Sequence, residues 1–200
     1  MDHPLHAHSL AEIHLYFMAT RCPDCGHGPL RSLPDQPAPP INPFDVTAEC
    51  AACRHRHTLR FSVPHRESRD EASHLYAVVN PTDEPSRILD VGQWIVLFRV
   101  VLEAAEKEPR KIEARRLGYE AAQCLEEAIK FYGDGDVPPA SAVFTDATRA
   151  HLREQPDQYS RKRLIDMRAK LPTLATLQKR FGQSSNAGKR PWWRFWSPRK

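Results

Sequence analysis

No stretch of the 200 residues approaches the roughly 20 consecutive apolar positions that a membrane-crossing helix requires. No basic leader with an apolar stretch and a small-residue cleavage site opens the chain, so residence in a reducing cytoplasm, with free thiols rather than disulfides, is expected. Enzymatic signatures are equally scarce. The stretch Gly182 to Lys189 imitates a phosphate loop, but five residues rather than four separate Gly182 from Gly188, and Arg190 stands where Ser or Thr is required. Asp134 and Asp136 lie in a glycine-rich turn without the spaced ligands and terminal glutamate of a calcium loop. No 34-residue repeat recurs, which excludes a tetratricopeptide array. No catalytic residue is identified, and a non-enzymatic role is expected.

Cysteine is sparse as well, five in all, yet four are arranged in two matched pairs. Cys22 and Cys25 are spaced C-x-x-C, and so are Cys50 and Cys53. Two intervening residues let a tight turn aim both sulfurs at one point, and two such turns supply the four thiolates of a tetrahedral zinc ion. Pro23 presets the first turn and Gly26 accepts the positive φ after it; in the second, either Arg54 takes that position at some cost or the turn differs. A four-thiolate set leaves no corner for an activated water, so one structural Zn2+ is expected. A four-cysteine iron site uses similar spacing, whereas a thiol redox pair would need a C-x-x-C at a helix start in a βαβ setting, which is lacking. His27, His55 and His57 lie close enough in sequence to support the metal or replace a ligand, or simply to face solvent.

Alternation surrounds these turns. Phe44, Val46 and Ala48 alternate with Asp45, Thr47 and Glu49, and Leu59, Phe61 and Val63 with Thr58, Arg60 and Ser62, as half-buried strands do. A third short strand is expected over Leu30 to Leu33, followed by a proline-rich arm that forbids regular pairing. Residues 20–63 thus resemble a zinc ribbon, with the Cys22-Pro23-Asp24-Cys25-Gly26 knuckle as the best match. The resemblance implies a three-stranded metal-stapled fold and leaves function open, since ribbons serve transcription factors, ribosomal proteins and adaptors alike.

Helical signals fill the rest. Ser9, with Glu12 at the capping-box position, opens a short helix faced by Leu10, Ile13, Phe17 and Met18; Met1 to His8 reads as a frayed terminus. Leu75 to Val79 is an extra strand or linker contact. Ser86 is the expected cap of a long helix carrying Ile88, Val91, Trp94, Ile95, Phe98 and Val101, covered on several sides. Pro109 opens a second helix that Gly133 ends, antiparallel to the first, with Gly118, Ala121 and Ala122 allowing close approach around Trp94 and Phe98. Cys124 reads as buried and inert, and Arg99 as paired with Glu126 or Glu127. Thr145 caps a helix to about Glu154, and another runs from Asp157 to Lys170 with Leu164, Met167 and Leu171 as its seam.

The expected fold class is therefore α+β: a three-stranded zinc ribbon, an α-helical hairpin, further helices and a disordered tail. The expected divisions are 1–66 for the N-terminal helix and ribbon, 67–85 for a linker, 86–181 for the helical module and 182–200 for the tail. Charge is asymmetric: from Val137 onward there are 14 Lys/Arg against 4 Asp/Glu, so the basic character behind the net +4 belongs to the C-terminal third. The tail interleaves Arg190 and Arg194 with Trp192, Trp193, Phe195 and Trp196, aromatics with no core to hide in. These six are the candidate partner-binding residues. A groove on a protein partner is the leading use, with an anionic membrane surface or nucleic acid as alternatives. A zinc-binding adaptor that mediates protein interaction is the leading function, and nucleic-acid binding through the basic third is the second.

Overall fold

Phe44, Ala48 and Cys50 bury one side of a strand while Asp45 and Glu49 turn outward, and this alternation organises the sheet. In the computed structural model, which describes residues 3–33, 42–64, 78–173 and 175, that strand is β3 (Phe44–Cys50). The preceding elements are β1 (Leu5–His6), α1 (Leu10–Ala19) and β2 (Leu30–Ser32), and β4 (Arg56–Ser62) follows. Strands β3 and β4 form an antiparallel pair in which Phe44 faces Phe61, Val46 faces Leu59 and Ala48 faces His57. On the outer side, the Thr47 and Thr58 hydroxyls hydrogen-bond at 2.9 Å and Glu49 stands opposite Arg56.

The sheet has four strands in the order β1-β4-β3-β2, not three. Leu5 and His6, expected to fray, run parallel to β4 beside Phe61 and Ser62, and the Ala7 N–H donates to the Ser62 carbonyl at 3.0 Å. Two residues are too few to display a period, so this strand is a long-range pairing with no local signature. Helix α1 covers the sheet through Phe17, whose ring stands edge-on to Phe61 with centroids 5.6 Å apart.

Ser9 caps α1 as expected, accepting from the Glu12 N–H at 3.1 Å. The Glu12 carboxylate, however, reaches past the cap to the His8 N–H at 2.5 Å instead of closing a box on Ser9. Leu10, expected on the apolar face, is 45% exposed, whereas Ile13 and Phe17 are buried as expected, joined by Ala11 and Leu15. The Ser9 hydroxyl donates to the Val79 carbonyl, so this cap also ties the sheet region to the start of the helices. Of the stretch Leu75 to Val79, Val78 and Val79 lie within the described residues and are in no strand.

The helical part comprises α2 (Val91–Lys107), α3 (Lys111–Ile129), α4 (Asp146–Glu154) and α5 (Arg161–Arg168), with 3-10 turns at Ala140–Ala142 and Pro156–Tyr159. Helices α2 and α3 share the most extensive contact between elements. Trp94, Ile95, Leu97, Phe98 and Val101 of α2 are buried; Val96, Arg99 and Val100 face solvent, so the helix is covered on one broad face rather than all round. Ile112, expected on the buried side of α3, is also exposed. The buried residues of sheet and helices join in one cluster that contains both Phe61 and Trp94.

Several helix ends differ from expectation. Asp90, not Ser86, caps α2; Ser86 closes the preceding turn by accepting from the Ile88 and Leu89 amides. Arg110 follows Pro109 as the cap of α3, which ends at Ile129 ahead of Gly133. The helix expected over Asp157 to Lys170 is split: Tyr159 turns inward, and Ser160 then caps the shorter α5. Its seam holds, with Leu164 buried and Met167 and Leu171 packed on the core. Gly118 does not serve Trp94 and Phe98; a Cβ there would lie 3.3 Å from the Pro172 ring. The close approach is at Gly92, where a Cβ would fall 2.3 Å from the Thr148 hydroxyl.

That approach lets one buried carboxylate serve two helices. Asp90 Oδ1 accepts from the Gln93 N–H at 2.9 Å and the Thr148 hydroxyl at 2.7 Å, while Oδ2 accepts from the Thr145 N–H at 2.9 Å and its hydroxyl at 2.6 Å. Thr145 is itself the cap of α4, as the sequence predicts, so the negative charge sits at two positive helix ends. Asp90→Ala removes a cap worth about 1 kcal/mol and charged hydrogen bonds worth about 1.5–3 kcal/mol. Equilibrium unfolding should show a loss of about 2.5–4 kcal/mol, with Asp90→Asn falling between wild type and Asp90→Ala; a loss below about 1 kcal/mol would contradict this junction.

Candidate metal centre

The two knuckles are built alike. The Gly26 N–H donates to the Cys22 carbonyl at 2.9 Å and the Arg54 N–H to the Cys50 carbonyl at 3.0 Å. Cys22 and Cys50 in turn donate their amides to the carbonyls of His27 and His55. The turn closes through a positive φ in both, 69° at Gly26 and 67° at Arg54, so Arg54 occupies the strained position as its sequence place implies. Pairing of Leu30 with Cys50 at the β2–β3 edge brings the knuckles together.

The four sulfurs of Cys22, Cys25, Cys50 and Cys53 lie within 4.8 Å of one another and are positioned to bind one metal ion. Two edges of the cluster, Cys22 to Cys53 and Cys25 to Cys50, are each 3.7 Å. A tetrahedron with metal–sulfur bonds of ~2.3 Å has edges of ~3.8 Å. Cys22 and Cys50 are buried, Cys25 is half-buried and Cys53 is exposed, so the centre opens to solvent on one side.

Backbone donors prepare the sulfurs for a cation. The Cys53 and Ala52 amides point at the Cys50 sulfur from 3.5 and 3.4 Å, and these bonds, the Cys53 amide foremost, bring its thiol down to about 6. Cys53 moves the other way. The His55 amide favours its thiolate, but burial and the three neighbouring sulfurs together push the thiol up to about 12. Four thiolates cannot share this volume without a compensating positive charge.

The three nearby histidines divide. His57, with its side chain 15% exposed, places Nε2 3.3 Å from the Cys22 sulfur and 3.2 Å from Asp24 Oδ2. His55 lies with Nε2 3.6 Å from the same Asp24 oxygen. His27 contributes its backbone carbonyl and joins neither ligand cluster found among the described residues. Asp24 belongs to no spacing rule for thiolate ligands; its place in the first knuckle, two residues after Cys22, together with the alternate His55 and His57, is the signal the sequence carries.

Away from the knuckles, Cys124 is buried on α3, and burial followed by Glu120 and Glu127 pushes its thiol far up, an inert side chain. Arg99 pairs with neither Glu126 nor Glu127: it donates to Gln158, while Glu126 receives Arg168 at 2.7 Å and Glu127 receives Lys130 at 2.6 Å. Arg190, Trp192, Trp193, Arg194, Phe195 and Trp196 lie outside the described residues. No helix among the described residues is long and apolar enough to cross a membrane. Comparison with protein-family models, curated proteins and solved structures finds no match.

Replacing Arg54 by glycine relieves a left-handed conformation that costs about 1 kcal/mol in a residue with a Cβ. The ion pair it gives up with Glu49 is exposed on the Arg54 side and worth under about 1 kcal/mol, and Glu49 keeps Arg56. Guanidinium unfolding of the metal-loaded protein should therefore show Arg54→Gly more stable by about 0.5–1 kcal/mol. A lower midpoint would mean that the second knuckle does not carry this strain.

Proposed function

We propose that the chain is a zinc-binding, non-enzymatic adaptor, in which one structural Zn2+ holds the ribbon and the ribbon and helices present surfaces to a protein partner. The convergence of four thiol donors carries this reading, because a full sulfur set suits a closed site and reserves no position for a reacting water. Zinc fits four thiolates in a reducing compartment, and a structural ion of this kind supplies on the order of 10–16 kcal/mol to a segment with little core of its own.

The basic helix α5 favours a protein partner over nucleic acid. Arg168 is drawn onto Glu126 of α3, and Asp136 receives the Ser160 hydroxyl and the Lys162 amide at the start of the helix. The Arg168 charge is thereby engaged within the fold rather than arrayed for phosphates, while the Asp136 contacts fix the start of the helix through a hydroxyl and a backbone amide. The Trp- and Arg-rich segment from Arg190 to Trp196 supplies the aromatic and guanidinium groups that dominate binding energy at protein interfaces.

Elemental analysis of purified full-length protein should return one zinc per chain, released by a thiol-modifying mercurial and by strong chelators with loss of folded structure. Iron in its place, or a folded protein indifferent to chelator, contradicts the structural-zinc reading. Truncation before Lys189 should abolish capture of the protein partner while leaving zinc content unchanged. Undiminished capture removes the tail from the interface, and binding of nucleic acid with a steep negative salt dependence would move the assignment to that class.

A further inference from the structure

The sulfur cluster has a neighbour that a structural staple does not require. Asp24 Oδ2, His57 Nε2 and Cys22 Sγ lie within 4.8 Å of one another, as a group of donors separate from the other three cysteines. The individual spacings are 3.2 Å from His57 to Asp24, 3.3 Å from His57 to Cys22 and 4.0 Å from Cys22 to Asp24. An ion with bonds of ~2.0–2.3 Å to nitrogen, oxygen and sulfur in tetrahedral geometry sets its donors ~3.3–3.7 Å apart, close to what these atoms already adopt. We infer that Cys22, Asp24 and His57 form a second divalent transition-metal site, outside the four-cysteine centre and bridged to it by the Cys22 thiolate.

The elements that hold these donors are rigid and independent of one another. Cys22 and Asp24 belong to the first knuckle, fixed by the Gly26 and Cys22 backbone bonds, and His57 is held in β4 opposite Ala48. The His57 side chain is mostly covered, whereas Asp24 is about half exposed, so the site is walled on one side and open to water on the other. Water completes the coordination there. His55, 3.6 Å from Asp24 Oδ2, stands at the open side as a further nitrogen donor.

Charge favours the second ion. Four thiolates and the Asp24 carboxylate around a single dication leave a marked negative excess, which another dication largely cancels. Mixed sulfur, nitrogen and oxygen donors select a borderline metal such as Zn2+ or Co2+ over Mg2+ or Ca2+. With three protein donors against four, the outer ion is held more weakly than the inner one, so it exchanges while the ribbon stays folded.

This inference rests on the four-cysteine centre holding the first ion. The test is isothermal titration of full-length, singly zinc-loaded protein with Co2+, with native mass spectrometry for stoichiometry and absorption for a thiolate-to-cobalt charge-transfer band. One additional equivalent and that band are expected. In Asp24→Ala and in His57→Ala, each checked by circular dichroism and by retention of the first zinc, the second association should weaken at least about tenfold and the band should vanish. Binding of no Co2+ beyond the zinc already held by the wild-type protein overturns the second site and leaves the first standing; it would mean that His57 and Asp24 only hydrogen-bond near the sulfur. A second equivalent unchanged in both variants assigns it elsewhere, such as to His3 and His6, and overturns it too. Failure of the purified protein to hold even the first zinc overturns the four-cysteine reading itself.

Discussion

Four sulfurs within 4.8 Å of one another, two of their edges 3.7 Å, repel one another as soon as they ionise, and a cation bound at their centre would convert that repulsion into the tightest constraint on the ribbon. The constraint propagates. Cys50 is the last residue of β3 and pairs with Leu30, so fixing its sulfur fixes the register of β2, β3 and β4 together. A slip of one residue would turn Phe44, Ala48 and Phe61 to solvent and carry Cys50 away from Cys25. Metal chemistry and hydrophobic alternation therefore select the same register, each excluding the errors the other would tolerate.

The helical part has an equivalent point of closure in Asp90. Hydrophobic burial brings α2, α3 and α4 together without specifying how far one slides along another, because apolar contacts are only weakly directional. A buried carboxylate with four donors is directional. It places the first turn of α4 against the first turn of α2, and Gly92 provides the space that this placement needs. The burial of Trp94 and Leu97 follows on the same helix, so the polar junction and the apolar core reinforce one geometry.

What could be read from the sequence divides along the same physical lines. The four-cysteine cluster, the strands β2 to β4 and the Ser9 and Thr145 caps all depend on contacts within a few residues or on a spacing rule, and the chain displays them openly. Strand β1, the Asp90 cap and the Asp24–His57 pairing depend on partners far along the chain. Ser86 precedes Ile88, which extends the apolar pattern upstream of Asp90; Ile88 and Leu89 are buried in a turn instead, and a hydrophobic period does not distinguish a turn from a helix start. The helix expected from Asp157 to Lys170 was broken for a similar reason, since burying Tyr159 and receiving the Tyr132 hydroxyl on its carbonyl outweighs continuous helical bonding.

The junction between sheet and helices shows how loading of the ribbon reaches the rest of the chain. Cys22 and Cys50 belong to the same continuous buried cluster as Trp94 and Leu125, so there is no apolar boundary at which disorder in the knuckles would stop. Polar groups cross at the same place: Ser9 donates to Val79, and the adjoining Asn80 donates to Glu127 at 3.0 Å, where Lys130 also binds. Burial pushes Glu127 up to about 7 against the pull of Lys130 and Asn80, and the carboxylate of Glu12 adds to the rise. Groups in such surroundings tolerate little displacement, because a buried polar atom that loses its partner costs about 1–3 kcal/mol. An ion bound by the four sulfurs at one end of the sheet would thus keep α1 seated; α1 holds the Val79–Asn80 segment through Ser9, and that segment meets α3 through Glu127 and Lys130. The adaptor role proposed above would need this continuity, since surfaces on separate elements recognise one partner only while their relative positions are held.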